Sequence, residues 1–478
     1  MARNKNRTWA VVLFVSLSMV ACKVPALTTQ KPDVPIPQVF DGEPADTTTW
    51  ANIPWRQFFS DPHLRVLIDT AIQRNKELKI TLQEIEIAKN DVAFRKSFLA
   101  PTVGIRAGAG VEKVGRYTSQ GAGDASTEIR PGHAVPDPLG DFSLAATASW
   151  ELDIWRKLHN AEDAAASRYL ASVEGKNFVL SNLIAEIASS YYALITLDNQ
   201  VEIVQNTIAL QEQALEVVKA QRAVGRVNEL AVQKFTAELL KTQAVAYNLL
   251  QETTEMENKI NFLLGRYPQK IERNKGALLS DLPTQVKTGI PAQILHNRPD
   301  IQAAELDLKA ASLDVKVARA EFYPSLDISA ALGLQAFKPS YLLKMPESML
   351  YSLAGDMFAP LINRGAIKAE FNTASARQLQ ALYNYEQVVL NAYLEVSNQM
   401  SNISNLEKGV EKQTKQVDIL NHSIAISKEL FINNKAEYLE VLTTQRDALD
   451  AKLDLLDMKK NQFDAVIQVY KGLGGGWK

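Results

Sequence analysis

Two stretches of the chain contain no proline, one from Gly140 to Tyr267 and one from Leu361 to the C-terminus. Proline inside a helix removes a hydrogen bond and clashes with the preceding turn. A run of more than 100 residues without it can therefore hold very long helices. Each run is expected to bend once, at Ala223-Val224-Gly225-Arg226 and at Asn433-Asn434-Lys435. That leaves helices of roughly 60–70 and 40 residues, the longer reaching about 100 Å at about 1.5 Å per residue. Helices of that length span a distance rather than wrap a compact active site.

The N-terminus limits where such helices can work. Arg3, Lys5 and Arg7 precede an apolar stretch from Trp9 to Val20, too short to cross a bilayer. It ends in Met19-Val20-Ala21-Cys22, which resembles a bacterial lipoprotein cleavage site. Cys22 is the only cysteine, so no internal disulfide or multi-cysteine metal site can form. The reading is a leader at 1–21 and a lipid on the Cys22 thiol. Removing 1–21 deletes three positive charges and no negative ones, taking the net charge from −2 to −5. That balance does not suggest nucleic acid, which selects a basic surface.

The chain is written twice. Arg74–Val103 aligns with Asn297–Leu326 at an offset of 223, with Asp91 over Asp314 and Pro101 over Pro324. Further on the offset is 208–209, with Arg156 over Arg364, Leu230 over Leu439 and Gly225 over Asn434. One duplication, with a loop about 15 residues longer in the first copy, accounts for both offsets. Before each long helix lies a pair of candidate strands. Val103–Val111, Phe142–Trp150 and Leu326–Leu334 alternate apolar with small or polar residues, and Leu350–Phe358 does so less cleanly. Lengths of about 9–11 residues fit transmembrane strands. Four strands cannot close a barrel, and lipid does not tolerate an open edge, so the chain is expected to oligomerise. A soluble sandwich with one wet face is the alternative from the strands alone.

Along the long helices Leu194, Leu197, Val201, Val204 and Ile208 step 3-4-3-4, the spacing of a helix-on-helix seam. Val417, Leu420, Ile424 and Phe431 keep that phase in the second copy. Gly225 and Asn434 are residue types that accept the left-handed backbone at a helix end, so each run reads as a capped helix hairpin.

Several segments carry a family likeness. Trp55-Arg56-Gln57-Phe58-Phe59 with Asp61-Pro62, Ser149 to Trp155, Asn297-Arg298-Pro299-Asp300-Ile301 and onward to Pro324, Tyr438 to Leu442 with Gln445-Arg446, and Tyr470 to Trp477 lie in order along the chain. Together they resemble the outer membrane factors of tripartite efflux pumps, the TolC-like family, in its lipidated OprM- or NodT-like branch. The resemblance implies a mainly α fold with a membrane β-barrel. In it a homotrimer forms one 12-stranded β-barrel continued by a 12-helix α-barrel, each chain an internal duplication. It also implies an outer membrane location, lipid-anchored, with a large periplasmic part. The parts would be an anchor and equatorial segment at 22–75, a first repeat at 76–264, an equatorial linker at 265–297, a second repeat at 298–459 and a C-terminal equatorial segment at 460–478. The partners implied are a periplasmic adaptor, an inner-membrane efflux transporter and outer membrane lipid. Val224, Gly225 and Arg226, with Asn433 and Asn434, match the tip that meets the adaptor. Asn434 stands where the family commonly has glycine. Leu439 matches a leucine at the closed end of the tube, Phe431 replaces a common tyrosine, and Arg446 matches a pore-side arginine; the resemblance makes these three the periplasmic gate. Thr443 stands where an acidic partner is often seen.

Enzyme readings lack residues. Gly474-Gly475-Gly476 has no following Lys-Ser/Thr and is not a phosphate-binding loop. The five histidines, His63, His133, His159, His296 and His422, show no ligand spacing. No catalytic residue, metal or cofactor is expected beyond the covalent lipid. The expected function is a passive exit duct; the alternative is a lipid-anchored coiled-coil scaffold without a pore. The methionines Met345, Met349 and Met357 near the second strand pair hint at soft-metal export, though packing is their commoner use.

Overall fold

A computed structural model of the chain describes residues 24–27, 32–33, 35, 37, 39–40, 48–276, 287–362, 364–433 and 435–478. The leader at 1–21, Cys22 and Asn434 lie outside the described residues.

The element order repeats. Helices α1 (Trp55–Phe58), α2 (Pro62–Arg74) and α3 (Lys76–Ser97) lead into strand β1 (Thr102–Glu112). A connection follows with a short helix α4 (Ser119–Ser126) and a small ribbon of β2 (Glu128–Arg130) and β3 (His133–Ala134). Strand β4 (Leu139–Glu151) then feeds α5 (Lys157–Ala223) and α6 (Glu229–Leu263). The second pass runs α7 (Ile294–Asn297), α8 (Pro299–Ala320), β5 (Ser325–Ala336), β6 (Met349–Phe358), α9 (Gly365–Ile432) and α10 (Tyr438–Gly472). Helices α5 and α9 have 67 and 68 residues, and α6 and α10 have 35 each. The expected hairpins are present, and their helix bounds follow the sequence offsets.

The helices begin and end on local chemistry. Asp61 caps α2 through the His63 and Leu64 amides, with Pro62 in the first turn. Asp153 accepts from the Leu158 and His159 amides at 2.9 Å and so caps α5. Burial opposes its negative charge, but those bonds and the adjacent His159 outweigh it and hold the carboxyl below its ordinary range. Asn228 caps α6 through the Ala231 amide. Such a cap stabilises a helix by about 1 kcal/mol.

The chain divides into two compact units. One comprises Glu86–Tyr169 and Leu306–Leu382, with the described residues 24–27. It contains the four-stranded sheet, in the order β1-β4-β5-β6, all antiparallel. The two predicted hairpins are thus joined into one sheet by β4 against β5. The other unit comprises Pro32–Ile85, Leu170–Glu305 and Tyr383–Lys478. Its main core gathers Trp50, Trp55, Phe59, Tyr191, Ile195, Phe463 and Tyr470 among others.

The connection at 113–140, which holds the extra length of the first copy, is not a plain loop. Helix α4 is glycine- and serine-rich and has little intrinsic tendency to form. It is held by its N-cap, Thr118, which accepts from the Gly121 amide at 3.1 Å.

Candidate functional site

In the sheet, the pairing register decides which side chains share a face. Ile105 lies opposite Ala146, Ala107 opposite Leu144, and Ala109 opposite Phe142. Ala146 pairs with Leu332 and Trp150 with Ile328. Leu332 in turn lies opposite Tyr351, Ala330 opposite Leu353, and Leu326 opposite Met357. One face is therefore apolar across all four strands. It is also open: Ile105 is 83% exposed, Tyr351 81% and Leu353 79%. A continuous exposed apolar surface marks a membrane or protein contact. The Trp150 indole N–H is met by the Leu99 carbonyl at 3.1 Å, so this face carries no unmet donor there.

The opposite face takes the polar set. Gly104, Arg106 and Gly108 of β1 lie against Thr147, Ala145 and Ser143. Glu151 lies opposite Asp327, which lies opposite Asp356. Lys157 Nζ reaches Glu151 at 2.5 Å. Met349 and Met357 belong to the apolar face, so they do not line the polar one. Within β6 the apolar face is the odd-numbered set, which explains why the even-numbered reading from Leu350 looked irregular. Among the described residues neither β1 nor β6 has a second neighbour in this sheet.

At the hairpin turns the first helix run ends in a Schellman cap. The Gly225 amide donates to the Arg222 carbonyl at 3.0 Å and the Arg226 amide to Gln221 at 2.9 Å, with Gly225 at φ 70°. In the second turn the Lys435 amide donates to the Leu430 carbonyl at 2.8 Å, the equivalent outer bond. Val224, Gly225, Arg226 and Asn433 are all exposed. The Asn433 side chain donates to its own helix, at the Glu429 carbonyl. Arg222 and Glu229 pair at 2.6 Å across the first turn.

Behind the turns one apolar cluster draws on all four long helices. It contains Leu215 and Val218 of α5, Val232, Phe235 and Leu239 of α6, Phe431 of α9, and Val441 and Leu442 of α10. Phe431 is therefore buried in the hairpin packing, as its seam position indicates. Leu439 is 44% exposed and outside this cluster. Arg446 is half-buried and pairs with the adjacent Asp447 at 3.4 Å. The Thr443 hydroxyl donates to the Leu439 carbonyl at 2.9 Å, so it stays on its own helix.

The quoted motifs serve seats in the core. Phe58 stacks on Tyr470 at 4.0 Å, and the Tyr470 hydroxyl donates to the Ile53 carbonyl at 2.7 Å. The Tyr191 hydroxyl donates to Asp61 at 2.8 Å. Arg298 donates to both oxygens of Asp300, to Glu395 at 2.8 Å and to the Gly472 carbonyl at 2.9 Å. Burial alone would lower the Arg298 pKa, but these carboxylates raise it above its ordinary value. Its duplicate position, Asn75, makes the matching bond to the Leu263 carbonyl at 2.9 Å. Sequence reading missed this pair of seats. The signal was present as Leu264-Gly265 in the first copy and Leu473-Gly474 in the last, both glycines with positive φ.

Comparison with known proteins bears on these features. The model of a family described as "Outer membrane efflux protein" matches residues 67–266 and 290–475. The chain is 27% identical over 471 residues to the cation efflux system protein CusC of Escherichia coli O6:H1, covering 97% of this chain and 98% of that protein. It is 26% identical over 464 residues to the probable outer membrane lipoprotein SilC of Salmonella typhimurium, covering 96% of each. A crystal structure of a membrane protein from Pseudomonas aeruginosa shares the fold, with a TM-score of 0.85 at 22% identity over 94% of this chain and 99% of that one.

Proposed function

The chain belongs to the outer membrane efflux protein family, and on that premise we propose that three copies of it assemble into a passive duct for efflux. It is an outer membrane exit component of an efflux system, and the scaffold alternative is set aside. The observation that carries the trimer is the sheet: apolar across one face and open at both edges. Unpaired strand edges cost several kcal/mol per group in a bilayer, so the edges must meet other copies. Joining β1 of one copy to β6 of the next gives 12 strands from three four-stranded sheets.

In this reading the apolar face meets lipid and the polar face lines the lumen. The long helices continue the passage into the periplasm. Cys22 carries the lipid anchor. Val224, Gly225, Arg226, Asn433 and Asn434 form the tip that docks a periplasmic adaptor, which links the duct to an inner-membrane transporter. Leu439 and Arg446 face the pore at its narrow end, with Phe431 as packing behind them. The partner pump supplies the driving force, and the duct performs no bond chemistry.

The test pairs assembly with conduction. A cysteine at Ile105, combined in turn with one at Tyr351, Leu353 or Gly355, is expected to give covalent trimers on oxidation. The unmodified protein is expected to conduct ions in planar bilayers. Monomers alone in every pairing, together with no conductance, would remove the duct.

A further inference from the structure

Where the paired part of the sheet ends, a cavity of about 400 Å³ opens between the β4–α5 connection and the end of α8. Trp155 and Tyr323 stack there, centroids 4.7 Å apart and planes 20° apart. The Trp155 indole N–H is already spent on the Pro324 carbonyl at 2.8 Å, so the pair offers mainly carbon surface. Three cations border the same space: Arg156, Lys316 and Arg319. Arg156 is held at φ 57°, a left-handed backbone that a side chain with a Cβ adopts only at a cost. Lys316 is exposed and has no ion-pair partner among the described residues. The Arg319 Nε is buried and has no hydrogen-bond partner among the described residues. Asp163, the one acidic residue in the wall, stands 3.8 Å from Arg156 and answers one of the three charges.

A buried Nε–H without an acceptor is a donor that lacks its partner, and the rest of the Arg319 side chain borders the cavity. Unspent positive charge beside stacked aromatic rings is the arrangement proteins present to lipid headgroups at a membrane boundary. The cavity occupies that level, between the last residue of β4 and the first of β5. Leu27 also lines it, five residues beyond Cys22, so the chain leaving the proposed lipid anchor passes this space. The duplication supplies no twin: Ala93, Lys96 and Ala100 stand where the second copy has Lys316, Arg319 and Tyr323.

We propose that this cavity binds the phosphate of an anionic phospholipid, with Lys316 and Arg319 as its ligands and the Trp155–Tyr323 pair against the glycerol end. The proposal rests on the sheet lying in the outer membrane. The full-length protein, purified in detergent, is incubated with phosphatidylglycerol or phosphatidylcholine, and retained lipid is counted by native mass spectrometry. Phosphatidylglycerol is expected to be retained about thirtyfold better, the scale set by two engaged cations. Lys316→Ala and Arg319→Ala should each reduce that retention about fivefold. Lys316 is exposed and unpaired among the described residues, so its variant keeps the comparison valid if Arg319→Ala fails to fold. A thermal melt of each variant without lipid checks this. Equal retention of the two lipids, or retention unchanged in Lys316→Ala, overturns the proposal. So does glycerol phosphate held as tightly as the lipid, which would mark a site for free phosphate. Conductance of the unmodified protein is read separately, so the duct stands or falls on its own result.

Discussion

A buried guanidinium is tolerated when its charge and its donors are met, and Arg298 has Asp300, Glu395 and the Gly472 carbonyl. Glu395 is drawn the other way. Burial raises its pKa, but Arg298 and Lys471 together bring it below the ordinary 4.5. A carboxyl whose folded pKa is depressed stabilises the fold at pH above its unfolded value and loses that contribution as pH falls through the folded one. Thermal stability is therefore expected to drop as pH is lowered from 4.5, and less steeply in Glu395→Gln, followed by circular dichroism. Removing one partner at neutral pH, as in Arg298→Met, should cost about 3–5 kcal/mol, since it leaves buried charge unmatched. Leu439 makes the opposite case. It is exposed in the single chain, and on the proposed assembly its effect belongs to the pore. Leu439→Ser should raise open probability about tenfold, if the ring of three leucines together contributes about 1.5 kcal/mol of apolar contact to closure. Single-channel recording reads it, with Leu439→Ile expected to stay near the unmodified level. Arg298 was quoted in a motif without a role because Glu395 lies 97 residues away and Gly472 lies 174 away. Phe431 was legible as seam from its spacing, and its burial agrees.

At the level of elements, the long helices, their turns and three of the four main strands could be read from proline absence, residue type and alternation. Each is a local signal. The pairing of β4 with β5 could not be read, because it joins the two copies and no short-range pattern encodes it. Helix α4 was also hidden, since a cap rather than helix propensity supports it. The glycines at helix ends separate conformation from contact. Gly225, Gly265 and Gly474 all have positive φ. A Cβ on Gly225 would meet nothing within 4 Å, whereas one on Gly265 or Gly474 would strike the Arg74 or Asn297 carbonyl. Gly225→Ala should cost about 1–2 kcal/mol for the left-handed backbone alone. Gly265→Ala and Gly474→Ala should cost clearly more, because backbone must move. Denaturant midpoints of the three variants should fall in that order, and equal losses would mean the two seats yield easily.

For the molecule as a whole, the duplication places a matching seat in each copy but fills the two with different chemistry, a neutral amide at Asn75 and an ion network at Arg298. The second seat closes on the last residues. Tyr470, stacked on Phe58, reaches back 417 residues to the Ile53 carbonyl, and the Asn297 carbonyl accepts from Trp477 at 3.3 Å. Early aromatic residues thus wait for the final segment of the chain before their burial is complete. A protein exported N-terminus first remains unfinished, with sticky surface uncovered, until its last stretch has been delivered. Deleting residues 470–478 should leave the long helices formed by circular dichroism yet make the chain a substrate for envelope proteases, seen as faster loss in a pulse-chase. Residues 470–477 therefore tie the cover of the early aromatic core to contacts made more than 400 residues later in the chain.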